Sequence, residues 1–414
     1  MKQDRHILCI DFDSFFASCE QHFNPLLRGK PIGVTATNGR TCVIAASREA
    51  KRYGVVTGSR TFDAKRVCPD IQFVPADFDR YLSITKKFIE IAHRYSPSVE
   101  VFSLDELFLD ATPMMRITSV HDIVEDIKRD IREEIGSAIT VSVGYSYNKL
   151  LSKLASGLNK PDGYFHITQD NLDEVYENIH MTDICGIGER IARRLHLMGI
   201  HTLLQLREAS FHRLKLEFGP FWAHHLLDIA YGRDASLVLH FRQNEAPIKS
   251  VGRNYCLARN EYDKRRVQES IYALCEELGK KLRKIKMRGR TVGLSLRGEK
   301  SCTQRETVGR YINSGQDIYE ICLFLQQQWH WGDEYVRQIS VWVTNLLPEE
   351  ACPYSLFENR RRVRVTEAVD AINDKYGEVV VKNGFLTHAP TLETKPNGFL
   401  ADKAQKAEIA AMEF

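Results

Sequence analysis

No run of apolar residues in this 414-residue chain is long enough to cross a bilayer. The opening stretch MKQDRHILCI lacks the h-region and cleavage site of a secretory signal. A cytoplasmic protein with no membrane contact is expected. The ten cysteines are scattered without a C-x-x-C pair, which excludes the usual zinc spacings and a disulfide framework and leaves reduced packing residues. Internal repeats are also missing. With 43% hydrophobic and 27% charged residues the composition is far from disordered or fibrous classes, and the length exceeds one core, so several domains are expected.

The net charge of +3 is unremarkable, but its distribution is not. Residues 241–310 carry 18 Lys and Arg against 8 Asp and Glu, the footprint of a surface that faces a polyanion.

The pattern along the chain is α+β and multidomain. HILCIDFDSFFASCEQHF opens as a strand, Ile7 to Ile10, and becomes a helix after Asp13 and Ser14, both good N-cap residues. Residues 24–78 read as a small basic region rich in turns, with a helical piece at SREAKRYG. Helical patterns follow at YLSITKKFIEIAHRYS, VHDIVEDIKRDIREEIG and NKLLSKLASGLN, and AITVSVGYS is a buried strand. Short helices dominate 173–235, and SLVLHFRQNEAPIK reads as an extended tether. Strands return at KSVGRNYCL, RTVGLSLR and QISVWVTNL with two helices between, and the remainder is a partly ordered tail with one amphipathic helix, VRVTEAVDAINDKYG.

The chemistry begins at VFSLDELFLD, residues 101–110, an apolar run with Asp105 and Glu106 side by side. Neighbours on a strand point to opposite faces, so at least one acid would lie against the core and need a bound cation, a basic partner or a turn that returns it to water. Asp11 ends another buried strand, and Asp105 and Glu106 lie at an expected hairpin beside it, with SVEVF and LFLD as its arms. Three carboxylates can therefore converge at one sheet edge, the oxygen donor set that Mg²⁺ takes; the alternative is solvated or arginine-paired turn acids. GIGERIARRLHLMGI places Gly186 and Gly188 in a turn opening a helix. That pattern binds a nucleic-acid backbone through N–H groups without reading bases, or is a plain helical hairpin with a glycine cap. Lys249, Arg253, Arg288, Arg290 and Arg297 lie near strand ends of the basic unit.

IDFDSFFASCE, CVIAASREAKRYGV, SLDELFLD, VSVGYSYNKLLSKLAS, NKPDG, ICGIGERIARRLHLMGI and KSVGR stand in the order and spacing of the Y-family, or translesion, DNA polymerases, of the bacterial polymerase IV and polymerase V type. The sequence resembles that family from about residue 5 to 380. The resemblance implies a right-hand fold: palm at 1–23 and 79–172, fingers at 24–78, a helical thumb with a helix-hairpin-helix at 173–235, a tether at 236–248, a little finger at 249–345, and a C-terminal tail at 346–414.

It further implies that Asp11, Asp105 and Glu106, with the Phe12 backbone carbonyl, hold two Mg²⁺ ions (Mn²⁺ as a substitute). Ser14, Phe15 and Phe16 would start the helix that receives a triphosphate, Phe16 would be the steric gate against a 2′-hydroxyl, and Cys42 and Val43 would cover the templating base. Arg48 stands where the family has Tyr and Lys51 where it has Arg, both triphosphate contacts, and Lys160 matches a triphosphate-binding lysine. PYSLF, 353–357, resembles a clamp-binding peptide, with Leu356 and Phe357 as anchors and Pro353 where Gln is usual. The expected protein is a monomer that extends primer–template DNA with dNTPs at low fidelity, without proofreading, on a sliding clamp. The rivals are a catalytically silent scaffold of a lesion-bypass complex and, more weakly, a nuclease using the same acids.

Overall fold

The computed structural model describes residues 5–36, 42–239, 248–329, 334–353, 360–376 and 380–386. These fall into two compact units, one reaching Leu239 and one starting at Ile248. All ten cysteines are free, and among the described residues no helix is long and apolar enough to cross a membrane.

The first unit runs β1 (Ile7–Phe12), α1 (Phe15–Phe23), β2 (Ile32–Thr35), β3 (Val43–Ala46), α2 (Arg48–Arg52), α3 (Thr61–Val67), β4 (Gln72–Pro75), α4 (Phe78–His93), β5 (Val99–Val101) and β6 (Glu106–Asp110). It continues with α5 (Val120–Glu134), β7 (Val141–Ser146), α6 (Lys149–Leu158), β8 (Tyr164–His166), α7 (Leu172–Glu177), α8 (Glu189–Leu197), α9 (Leu203–Arg207), α10 (Phe211–Phe218) and α11 (Pro220–Ala230). Its main sheet has the order β5-β6-β1-β7-β8, with β1 central and antiparallel to both neighbours.

Alternation along β1 sends Leu8, Ile10 and Phe12 into the core under α1, α4 and α5. The other parity, Cys9 and Asp11, faces α6. Asp77, Ser119 and Asn148 cap α4, α5 and α6 through their side chains, which sets where these helices start. Helix α6 sits directly on β7: a Cβ at Gly144 would lie 2.0 Å from the Ser152 carbonyl oxygen and 2.2 Å from the Ser156 nitrogen. Only glycine permits that approach.

The region expected to be mostly turns builds a second sheet, β3-β2-β4, closed around Val43, Ala46, Ala50, Val55, Ala64, Cys68 and Ile71. Helices α7 to α11 share one core with α6 through Leu151, Leu154 and Ala155.

The segment expected as a tether is anchored at its start. Asn148 donates to the Gly232 carbonyl (2.8 Å), Arg5 to that of Ser236 (2.8 Å), and the Leu239 N–H donates to Glu100 (3.0 Å). Val238 packs with Ile7, Cys9 and Phe108. Residues 236–239 are thus held to the first unit by these hydrogen bonds and by the buried Val238; 240–247 lie outside the described residues.

The second unit comprises β9 (Ser250–Glu261), α12 (Lys264–Lys284), β10 (Met287–Gly298), β11 (Ser301–Ile312), α13 (Gly315–Gln327), β12 (Val336–Pro348) and α14 (Arg360–Tyr376). Its sheet has the order β11-β10-β12-β9. Val292, Leu294 and Leu296 of β10 pack under α12 and α13. On the opposite face Trp342 lies across Gly293, where a Cβ would be 2.0 Å from its ring. There Thr291 bonds Thr307 (2.9 Å) and Ser295 bonds Thr303 (2.8 Å), hydroxyl to hydroxyl.

The tail helix is docked rather than loose. Arg283 grips Asp370 through two hydrogen bonds (2.5 and 2.8 Å), Lys280 pairs with Asp374 (2.8 Å), and Arg362 pairs with Asp317 (3.4 Å).

Candidate active site

Asp11 and Glu106 are register partners across β1 and β6, so their side chains lie on the same face, toward α6. Asp105 is not on a strand. It sits in the turn that precedes β6, where its carbonyl accepts from the Phe12 N–H (2.8 Å) and its carboxylate from the Ser103 hydroxyl. The alternation that would drive adjacent acids to opposite faces therefore does not apply.

Two lysines answer the cost of burial. Lys160 pairs with Asp11 and Lys153 with Glu106, whose side chain is only 9% exposed. Burial, with Asp105 and Glu106 nearby, still pushes Asp11 up to about 6 against the pull of Lys160. Among the described residues no three His, Cys, Asp or Glu side chains are gathered as a ready ligand set. The oxygen chemistry nevertheless fits a hard divalent cation. Three carboxylates share one strand end, and one of them is poorly stabilised as an anion without further positive charge.

Asp13, read from sequence only as a helix cap, is instead a hub, 2% exposed. Its carboxylate accepts from the hydroxyls of Thr140 (2.6 Å) and Ser142 (2.8 Å), from the Asp162 N–H (2.8 Å) and from Arg48 (3.4 Å). Lys128 holds the same 160–163 loop, donating to the Asp162 carbonyl (2.7 Å). Gly163 is required there, since a Cβ would lie 1.5 Å from the Asn159 carbonyl oxygen. Lys160 thus extends from a loop stapled on two sides. Lys51 projects from α2; partial burial, then the charge of Lys160, lowers its ammonium from the usual range. Lys153 was missed. Its signal is the spacing Lys149/Lys153, one helical turn apart on the face of α6 that meets Glu100 and Glu106.

Ser14 adopts a left-handed conformation (φ 51°), and its side chain does not cap α1. The first N–H groups of α1 are therefore left for another acceptor. Phe15 is buried, stacked on Phe12. Phe16 is half-buried, stacked on Tyr81 with centroids 4.5 Å apart and edged by Phe78. Behind it the Tyr81 hydroxyl donates to Glu20 (2.6 Å).

Three of the expected contact residues have protein partners of their own. Val43 is fully buried in the small sheet's core, while Cys42 beside it is exposed. Arg253 shares a strand face with Val251 and Leu257, beneath α12, and pairs with Glu277 (3.6 Å). Arg288 is half-buried on Glu349 (2.6 Å). Lys249, Arg290 and Arg297 are exposed, Arg290 lying over the Tyr311 ring. Gly186 has φ +105° and packs against Ile229, while Gly188 is the open N-cap of α8, with Arg190 and Arg193 exposed. Leu356 and Phe357 lie outside the described residues.

Residues 10–157 match the impB/mucB/samB family, residues 248–356 that family's C-terminal domain, and residues 182–234 a thumb domain described for DNA polymerase-iota. DNA polymerase IV of Bacteroides fragilis is 35% identical over 345 residues, 83% of this chain and 93% of that protein. DNA polymerase IV of Acetivibrio thermocellus is 32% identical over 399 residues, 92% and 97% of the two chains. A solved Y-family DNA polymerase chimera superposes with a TM-score of 0.70 at 25% identity, covering 83% of this chain and 99% of its own. With the acids at one strand end, the thumb helices and the separate C-terminal unit all accounted for by these matches, the chain belongs to the Y family of DNA polymerases.

Proposed function

We propose that this chain is a DNA-directed DNA polymerase of the translesion type, with palm, fingers, thumb and little finger divided as the sequence predicts. The observation that carries the site assignment is the register pairing of Asp11 with Glu106, with Asp105 tied to Phe12 beside them. Asp11, Asp105 and Glu106, with the Phe12 carbonyl, would hold two Mg²⁺ ions (Mn²⁺ as a substitute). When bound, these ions supply Lewis acidity for attack of a primer 3′-hydroxyl on the α-phosphate of a dNTP. Lys160, Lys51 and the uncapped start of α1 would hold the triphosphate, and Phe16, backed by Tyr81, would lie beneath the sugar. No side-chain nucleophile is required.

The Gly186–Gly188 turn would take the DNA backbone by N–H groups, and Lys249, Arg290 and Arg297 would add a salt-dependent grip. Residues 353–357 are proposed to dock on a sliding clamp; deleting them should leave distributive synthesis intact and remove clamp stimulation. A monomer acting in the cytoplasm completes the reading. The scaffold alternative is disfavoured because all three acids are present and the relatives named above are polymerases.

The test is primer extension on an undamaged template with dNTPs and Mg²⁺, native chain against Asp105→Ala plus Glu106→Ala. Extension lost only in the variant supports the assignment. A native chain that binds primer–template and adds nothing returns the scaffold reading.

A further inference from the structure

Arg48 stands where a triphosphate contact is expected, yet its guanidinium is directed elsewhere. Nη2 reaches the Asp13 carboxylate (3.4 Å) and the Thr140 hydroxyl, while Nε is buried with no acceptor among the described residues. Its charge thus faces a multiply hydrogen-bonded carboxyl group that is itself almost wholly inside the protein. A tyrosine at this position could not make that ion pair.

Asp13 joins three separate segments: the start of β7 through Thr140 and Ser142, the 160–163 loop through the Asp162 N–H, and α2 through Arg48. It also follows Phe12 and lies two residues past Asp11 on the same chain. One carboxylate therefore fixes the element carrying Lys51 and the loop carrying Lys160 relative to the strand carrying Asp11.

We infer that Arg48, Thr140 and Asp13 form a strap binding α2 to the catalytic strand, and that Arg48 is a positioning residue for nucleotide rather than a ligand of the triphosphate. The inference rests on the polymerase reading for its kinetic consequence but not for its structural one. Released from the strap, α2 keeps the hydrogen bond from Gln21 to Glu49 (3.2 Å), and Lys51 loses its register with Lys160.

Thr140 separates the two roles, because it belongs to the strap and to no group assigned to nucleotide. Arg48→Met, Thr140→Val, the double variant and Thr140→Ser would be compared. In the ligand-free chain, hydrogen exchange of the α2 amides should rise about tenfold in Arg48→Met and in Thr140→Val, the effect of one charge-assisted hydrogen bond, and return to the native rate in Thr140→Ser. In single-turnover extension, the dNTP concentration for half-maximal rate should rise by a similar factor, about five- to tenfold, in both single variants and no further in the double. The maximal rate should change less.

A raised dNTP requirement in Arg48→Met with native exchange and native dNTP requirement in Thr140→Val would overturn the strap and return Arg48 to the triphosphate. Unchanged α2 exchange in both single variants would overturn it as well. If the native chain adds no nucleotide, the polymerase reading fails, and the exchange experiment still decides the strap.

Discussion

Asp11 and Glu106 face one another in register across β1 and β6, each held by its own lysine, Lys160 and Lys153. The lysines come from different elements, a loop after α6 and the middle of α6 itself. Two largely buried acids side by side repel; one ammonium apiece offsets part of that cost, and Asp11 is still pushed up to about 6. Were Asp11 and Glu106 to hold the proposed divalent cations, the positive charge those ions supply would leave Lys160 available to phosphate.

Glu106→Gln retains the shape of the side chain and an oxygen for Lys153. It should lower primer extension by about a thousandfold, as expected for loss of several kcal/mol of electrostatic stabilisation. Thermal melting should move little, which distinguishes a failed site from a failed fold.

Phe16→Ala should admit ribonucleotides, measured as the ratio of dNTP to rNTP incorporation. Unchanged discrimination would show that Phe16 is not the gate.

Tyr81→Phe removes the donor to Glu20 and should cost about 1–2 kcal/mol, with a pH signature. Burial raises the Glu20 carboxyl above its ordinary value, while the Tyr81 hydrogen bond lowers it. The folded state therefore binds the Glu20 proton more tightly than the unfolded chain, and this group's contribution to stability falls as pH rises from the unfolded value of 4.5 through the folded one. Without the hydroxyl the fall should be steeper. Urea midpoints at pH 4.5 and pH 7 for both proteins check the sign.

Gly144→Ala should destabilise the first unit by about 3 kcal/mol or more, because the added methyl meets α6 backbone rather than a side chain that could swing away. Extension activity should fall with it, since α6 carries Lys153. Denaturant unfolding followed in the first unit provides the measurement.

Lys149 and Glu100 form a buried pair (2.7 Å), and Glu100 also accepts the Leu239 N–H. Lys149→Met should cost about 3–5 kcal/mol by leaving a buried carboxylate without its cation. Faster hydrogen exchange at Leu239 should accompany the loss; a native rate there would show that the pair does not fix the segment.

What could be read from the sequence divides along physical lines. Helices α4, α5 and α6 were legible because each has an apolar stripe and a capping Asp, Ser or Asn, both local signals. The three acids were legible because carboxylates in apolar strands are costly without a partner. Strands β2, β3 and β4 were not, being four residues each with little room for alternation, and β11 is an edge strand whose alternate residues are largely polar. Asp105 was legible as a turn residue because SVEVF and LFLD read as the two arms of a hairpin, but that Glu106 already belongs to the strand shows only in the pairing of β1 with β6. Asp13 was missed because the donor that defines its role, Thr140, is 127 residues away.

The outer face of the second unit's sheet bears on what kind of reader this protein is. Thr291 with Thr307 and Ser295 with Thr303 satisfy one another, and Trp342 lies flat over Gly293. The hydroxyls are spent on one another, and Arg297 and Arg305 stand exposed on the same face. If this unit lies along a duplex as proposed, such a face would meet it chiefly through guanidinium charge on phosphate, a contact that does not depend on which letters, or which injuries among them, pass beneath.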